Sequence, residues 1–165
     1  MAKSFDERAK EWDEPKKIWR SQKTAEAMRR AGVLRPGMSA FEYGCGTGLL
    51  SFELKDELKD ITLADTSDGM LDVLRQKIEH TQAQHMTPLK LDLLAEGPPA
   101  GHYDIVYSLL TLHHVPDTDG VLRTFQGMLN AGGVLCIGDL DSEDGSFHDP
   151  GEQVHHGFDR AALTR

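Results

Sequence analysis

Three glycines at alternate positions, Gly44, Gly46 and Gly48, stand in the run Glu42-Tyr43-Gly44-Cys45-Gly46-Thr47-Gly48. Lacking side chains, they let the backbone turn tightly and approach a ligand closely, with the N–H groups of a following helix facing the same space. A tight structural turn or a dinucleotide site would also use such a run. The spacing helps to separate these: the dinucleotide fingerprint needs its third glycine one place later, where Leu49 stands. Asp65 follows twenty-one residues after Gly44, and a carboxylate at a strand end can accept hydrogen bonds from both hydroxyls of a ribose. The alternative is a turn or capping aspartate beside the cap candidates Thr66 and Ser67. Asp92 could accept a bond from an adenine amino group, or could be an ordinary loop residue. Taken together, the glycine turn and Asp65 specify an adenosine-type ligand rather than a bare phosphate.

The other reactive side chains are histidines and one cysteine. His113 and His114 could orient or deprotonate a substrate, or pack beneath a loop with their ring nitrogens on backbone groups. His148, His155 and His156 form a second histidine-rich stretch. The spacing of these histidines matches no zinc signature and no cysteine lies nearby, so no metal is expected. Cys45 reads better as a small residue in a crowded loop than as a nucleophile, because no base stands beside it.

Strands and helices must place these groups. Met38–Tyr43, Ile61–Asp65, about Pro88 to Leu91, Tyr103–Ser108 and Gly133–Gly138 read as strands. Between them, Leu50, Leu54 and Leu58 mark one helix, and Met70, Leu71, Leu74 and Ile78 another. Val121, Leu122, Phe125, Met128 and Leu129 mark a third, although Gly127 interrupts it. A helical segment to about Arg30, with Pro15 suited to a first turn and Gly32 as its stop, precedes them. Alternation of this kind implies parallel pairing through right-handed crossovers. The fold class is therefore α/β, doubly wound, with ligands beyond the carboxyl ends of the strands.

Composition narrows the setting. A length of 165 residues argues for one domain. No apolar run approaches the length of a membrane span, and the N-terminus lacks a signal-peptide core. Two cysteines make no disulfide framework, and a reducing cytoplasmic setting is the simplest. Residues 1–36 hold ten Lys and Arg against six Asp and Glu, while the remainder hold eight against twenty-one, within a net charge of −9. A body so acidic repels phosphate backbones, which argues against nucleic acid. The basic leading stretch reads as the solvated face of an amphipathic helix.

Four stretches carry a family resemblance. Phe41–Gly48, Leu63–Leu71, Leu91-Asp92-Leu93, and Tyr103–Ser108 with Leu112-His113-His114-Val115 resemble the successive motifs of class I S-adenosylmethionine-dependent methyltransferases. The run from Phe5 to Asp13 and the run from His155 to Arg160 are similar to the small-molecule group that includes ubiquinone and menaquinone C-methyltransferases. The resemblance implies a Rossmann-like, mostly parallel sheet with helices on both faces. Residues 1–35 would form a helical cover, with Phe5 and Trp12 over the cofactor, and residues 36–165 the S-adenosylmethionine-binding domain.

Site residues follow from the same resemblance. Gly44, Cys45, Gly46, Gly48 and Ser108 would surround the methionine portion of the cofactor, with Glu42 supporting the loop or reaching the amino group through water. Asp65 and Thr66 would lie at the ribose, Met70 against the adenine, and Asp92 with the backbone of Leu93 at the adenine edge. The family has no fixed base; His113 and His114 are the catalytic candidates by their position after the fourth strand, where substrate should approach. The resemblance implies a small-molecule methyl acceptor as partner. The family continues past Asp159–Leu163 with a helix and two strands that complete a seven-stranded sheet, a segment needing about 30 residues. Without them a sheet edge is exposed, which predicts association between copies or poor solubility. Two rival functions are a cofactor-binding protein without catalysis and a nicotinamide-dependent oxidoreductase. The second is disfavoured by the glycine spacing.

Overall fold

The computed structural model describes residues 4–148 and 154–163. Ser4 opens it as a capping box, its hydroxyl on the Glu7 amide and the Glu7 carboxylate on its own amide. That cap starts the short helix α1 (Phe5–Arg8), which runs into a 3₁₀ turn over Ala9–Glu11. Pro15, in the first turn where its missing N–H costs nothing, then starts α2 (Pro15–Arg30). The leading segment, described from Ser4 onward, is thus two helices rather than one.

The sheet holds five strands in parallel: β1 (Ser39–Tyr43), β2 (Asp60–Asp65), β3 (Met86–Lys90), β4 (Tyr103–Leu109) and β5 (Leu129–Gly138). Their order is β3-β2-β1-β4-β5. The crossovers are α3 (Leu49–Leu54), α4 (Asp68–Thr81) and α6 (Thr118–Met128), with a short α5 (Leu93–Glu96) on the way to β4. A last short helix, α7, covers Arg160–Leu163.

Strand progression reverses between β1 and β4, and right-handed crossovers therefore place the helices on opposite faces. Helices α2, α3 and α4 bury Ala25, Leu54, Leu71 and Leu74 against Ala40, Leu63, Ile105 and Tyr107. Helix α6 buries Val121, Phe125 and Met128 against Phe41, Tyr43 and Val106 on the other face. Alternation along β1 divides the two cores: Ala40 and Glu42 point one way, Phe41 and Tyr43 the other.

Boundaries moved where caps and tertiary packing decided them. Ser67, not Thr66, caps α4, its hydroxyl accepting from the Met70 amide at 3.1 Å. Helix α3 ends at Leu54, yet Leu58 is still buried beyond it. Gly127 is tolerated within α6 because it faces open space. Strand β5 begins four residues before the expected Gly133, with a register irregularity at its pairing with β4. No helix among the described residues is long and apolar enough to cross a membrane.

Phe125 is fully buried and meets the Tyr43 ring edge-on at 5.4 Å. Phe125→Ala is expected to remove about 3–5 kcal/mol of stability, seen as a lower urea midpoint with an unchanged slope.

Candidate functional site

The reversal between β1 and β4 opens a cleft of about 800 Å³ beyond the strands' carboxyl ends. Its floor is the turn after β1. Gly44 has φ 68° because the chain must bend at once, and a Cβ there would overlap the Thr111 side chain arriving from β4. The turn is bonded to β2 along its length. The Gly44 and Cys45 amides donate to the Ala64 carbonyl at 2.9 and 3.0 Å, and the Gly46 amide donates to Asp65 Oδ2 at 2.7 Å. The Gly48 amide closes back on the Cys45 carbonyl at 2.8 Å.

Asp65 is thus a structural clamp as well as a cleft residue, since its Oδ1 also accepts from the Ser67 amide at 2.9 Å. A carboxylate offers about four acceptor positions, so hydroxyls of a ligand can still be received. Burial raises its carboxyl above the ordinary value, against the lowering effect of these amides. Glu42, one strand inward, is buried and accepts from the Ser51 hydroxyl, which pairs with the Tyr107 hydroxyl at 2.7 Å. Burial pushes the Glu42 carboxyl up to about 8. Cys45 is buried beside these acids, and burial first, then Glu42, raises its thiol well above the usual value. An inert thiol fits the small-residue reading.

The N-terminal segment roofs the cleft through two aspartates. Asp6 Oδ1 accepts from the Ser67 hydroxyl at 2.5 Å and the Gly69 amide at 2.9 Å, at the start of α4. Asp13 accepts from the Thr47 hydroxyl at 2.5 Å and pairs with Lys77 at 3.0 Å, and Lys77 also donates to the Thr47 carbonyl. Between them Trp12 lies over Gly46, with Lys17 Nζ 4.0 Å from its ring centroid. Phe5 meets Trp12 edge-on at 5.8 Å. Arg8, Lys17 and Arg20 line this side, and Asp65 and Asp92 the other.

The far wall follows β4. Leu110 adopts φ 53°, a strained conformation for a branched side chain, as the chain turns above the sheet. A 3₁₀ turn, Leu112–His114, then presents both histidines. His113 is buried, and its Nδ1 lies 2.6 Å from Asp139 Oδ1 at the end of β5. Asp139 is itself held by the Leu112 and Leu140 amides at 2.9 and 2.8 Å. His114 packs between His113, His148 and Phe5. Burial, with His113 and His148 alongside, pushes its imidazole down to about 4.

Most of the residues singled out from sequence meet here: Glu42, Gly44, Cys45, Gly46, Asp65, Thr66, Met70, Asp92, His113 and His114 all line the cleft. Three do not. Gly48 starts α3 beneath Leu74 and Leu63. Leu93 is buried in the α6-side core, while its exposed neighbour Leu94 faces the cleft. Ser108 is buried with its hydroxyl on the Tyr43 carbonyl at 2.8 Å, and Leu109, Leu110 and Thr111 line the cleft instead. Asp92 caps α5, accepting from the Leu94 and Ala95 amides. His155 and His156 stay off the lining; the His155 amide supports the His113 carbonyl at 2.7 Å. Asp6 and Asp13 lie in the Phe5–Asp13 run that resembles the family, but their bonds to Ser67, Gly69 and Thr47, and the place of Thr111, were not legible, because polar partners of this kind leave no periodicity. Asp139 carried a signal: it ends a strand adjacent to β4, where the strand-end rule applies.

With fold and site in place, the family is plain. Residues 41–135 match the model of the methyltransferase domain family, and this chain belongs to it. It is 31% identical over 119 residues to the ubiquinone biosynthesis O-methyltransferase of Xanthomonas campestris pv. campestris, covering 71% of this chain and 49% of that protein. Over 107 residues it is 32% identical to the ubiquinone/menaquinone biosynthesis C-methyltransferase of Shewanella frigidimarina, covering 62% and 43% respectively. The solved DhpI–SAM–HEP complex shares the fold with a TM-score of 0.68 at 23% identity, over 84% of this chain and 64% of that one. The chain spans about half the length, or less, of these two curated relatives.

The raised Glu42 carboxyl has a measurable consequence. Its folded value of about 8 exceeds the ordinary 4.5, so its contribution to stability is full below pH 4.5 and is lost as pH rises to 8. Glu42→Gln cannot titrate. In urea unfolding from pH 5 to 8, the stability of the unmodified chain is expected to fall relative to the variant by at most about 1.4 kcal/mol per pH unit.

Proposed function

We propose that the cleft binds S-adenosylmethionine and that the protein transfers its methyl group to a small-molecule acceptor. The observation that carries this reading is the bonding of the glycine turn. A pyrophosphate site needs free backbone amides directed at the anion, whereas here the Gly44, Cys45, Gly46 and Gly48 amides are all engaged. The Asp65 carboxylate sits among them and would repel phosphate. A cationic, phosphate-free adenosyl ligand suits that floor. Family membership supports the reading, as does the binding of SAM by DhpI, which shares the fold.

The bound sulfonium would supply both the methyl group and an excellent leaving group. The residues of this chain then have to bind, align and exclude water. Asp65 would accept the ribose hydroxyls with the lone pairs left free by Gly46 and Ser67. Met70, buried with its sulfur near the turn, would back the adenine, and Asp92 would receive its amino group. Glu42 would answer the cationic amino group through water, which favours its ionised form. Trp12 and Phe5 would close the roof, and His113 and His114 would face the acceptor.

Calorimetric titration with S-adenosylhomocysteine, NAD and NADP tests the reading. Adenosylhomocysteine alone is expected to bind; silence at millimolar concentration would refute the proposal. Asp65→Ala should weaken that binding by about 1–3 kcal/mol if the carboxylate holds the diol. A parallel melting curve separates this from loosening of the turn.

A further inference from the structure

Three imidazoles converge at the acceptor end of the cleft although the sequence separates them. His113 and His114 come from the turn after β4, and His148 from the loop after β5. One nitrogen from each lies within 4.8 Å of the others. Their ring centroids are 4.1, 4.8 and 5.2 Å apart. The Asp139 carboxylate, fixed by two backbone amides, lies on Nδ1 of His113 at 2.6 Å. That contact sets the Nδ1–H tautomer and leaves the Nε2 lone pair for another partner. Carboxylates orient imidazole ligands in this way around metal ions.

We propose that His113, His114 and His148 form a binding site for a divalent transition-metal cation of the zinc type, with Asp139 as its orienting partner and one coordination position open to the cleft. The donor set decides the class of ion. Three nitrogens suit zinc and its neighbours, while magnesium and calcium want oxygen ligands, and the nearby Asp139 is already engaged. Three protein ligands with a fourth position free is the pattern of reactive rather than structural zinc sites. Zn–N distances of about 2.0–2.1 Å need the nitrogens drawn closer than they now stand. Metal binding would therefore draw the loop carrying His148 toward the other two rings, and Phe147 beside it is 46% exposed.

The position names an acceptor class, and this half of the inference rests on the proposed methyl transfer. A cation beside the methyl end would bind an oxygen of the acceptor and favour its ionised form. The acceptor is then a hydroxyl, phenol or enol. Its O–H bond breaks with the proton passing to solvent, its oxygen bonds the methyl carbon, and the carbon–sulfur pair returns to sulfur.

Chelator-treated protein titrated with Co²⁺, followed by visible absorption, tests the site without any turnover. One equivalent should bind with the intense bands of a low-coordinate nitrogen site; Zn²⁺ should displace it, and excess Mg²⁺ should not. Replacing either ring with one lacking nitrogen, His114→Phe or His148→Phe, should abolish stoichiometric binding while keeping the ring contacts. Asp139→Asn should weaken binding by about 10–100-fold, and His80→Ala, on the exposed side of α4, should leave it unchanged. Lack of stoichiometric Co²⁺ binding, or equal binding by folded His114→Phe and His148→Phe proteins, would overturn the site; so would displacement by Mg²⁺. His113 is buried, so the test does not depend on replacing it. Adenosylhomocysteine titrations of the same samples keep the two readings apart. Cofactor binding without metal binding removes this inference alone, whereas metal binding without cofactor binding removes methyl transfer and the acceptor class that rests on it, and leaves the metal site.

Discussion

Both oxygens of the Asp65 carboxylate are bonded to backbone: Oδ2 to the Gly46 amide across the end of β1, and Oδ1 to the Ser67 amide at the start of α4. Much of the cleft depends on this junction. It joins the carboxyl ends of the two strands, fixes the left-handed turn between them, and directs α4 away from the sheet. The N-terminal segment attaches to the same place, because Asp6 reaches Ser67 and Gly69 while Asp13 reaches Thr47. Floor and roof therefore share one anchorage, and loosening it would disturb both.

The same bonds determine what the floor can receive. A glycine-rich turn after the first strand is used by proteins that bind dinucleotides and by those that bind adenosyl ligands, and glycine spacing is only a partial guide. The disposition of the amides is more informative. Here the amides of all three glycines and of Cys45 are directed into β2, the Asp65 side chain and the turn itself. An anion arriving at this surface would meet a carboxylate. A cation would meet Asp65 and, beneath it, a Glu42 carboxyl that burial holds protonated near neutrality.

The opposite wall is organised by a second carboxylate. Asp139 does for His113 what Asp65 does for the glycine turn: it anchors a cleft residue while being held by backbone amides itself. Burial and two neighbouring rings keep His114 neutral. Neutral imidazole is also the form that ligates metals. The two walls differ accordingly, one carrying the carboxylates of Asp65 and Asp92, the other the imidazoles of His113, His114 and His148.

Much of this was legible in the sequence. Alternation along each strand, helical spacing in Met70, Leu71, Leu74 and Ile78, and the glycine turn were sufficient for the parallel sheet, its helices and the location of the cleft, because these signals are local and repeat. Asp65 and Asp92 could be placed at strand ends by the same logic. Their side-chain partners could not, since a carboxylate that clamps a turn and one that awaits a ligand look alike in one dimension. Ser108 illustrates the limit: at a strand end it read as a cleft residue, but the pleat turns its hydroxyl onto Tyr43. Gly48 likewise meets Leu74 and Leu63 at the start of α3, a contact set by how that helix packs. The meeting of His148 with His113 and His114 was beyond any spacing rule, because it depends on where the loop after β5 returns. By itself the sequence determined the order of elements and the end of the sheet where chemistry occurs. Tertiary structure alone decided which side chains face one another there, since those contacts join residues far apart in the chain.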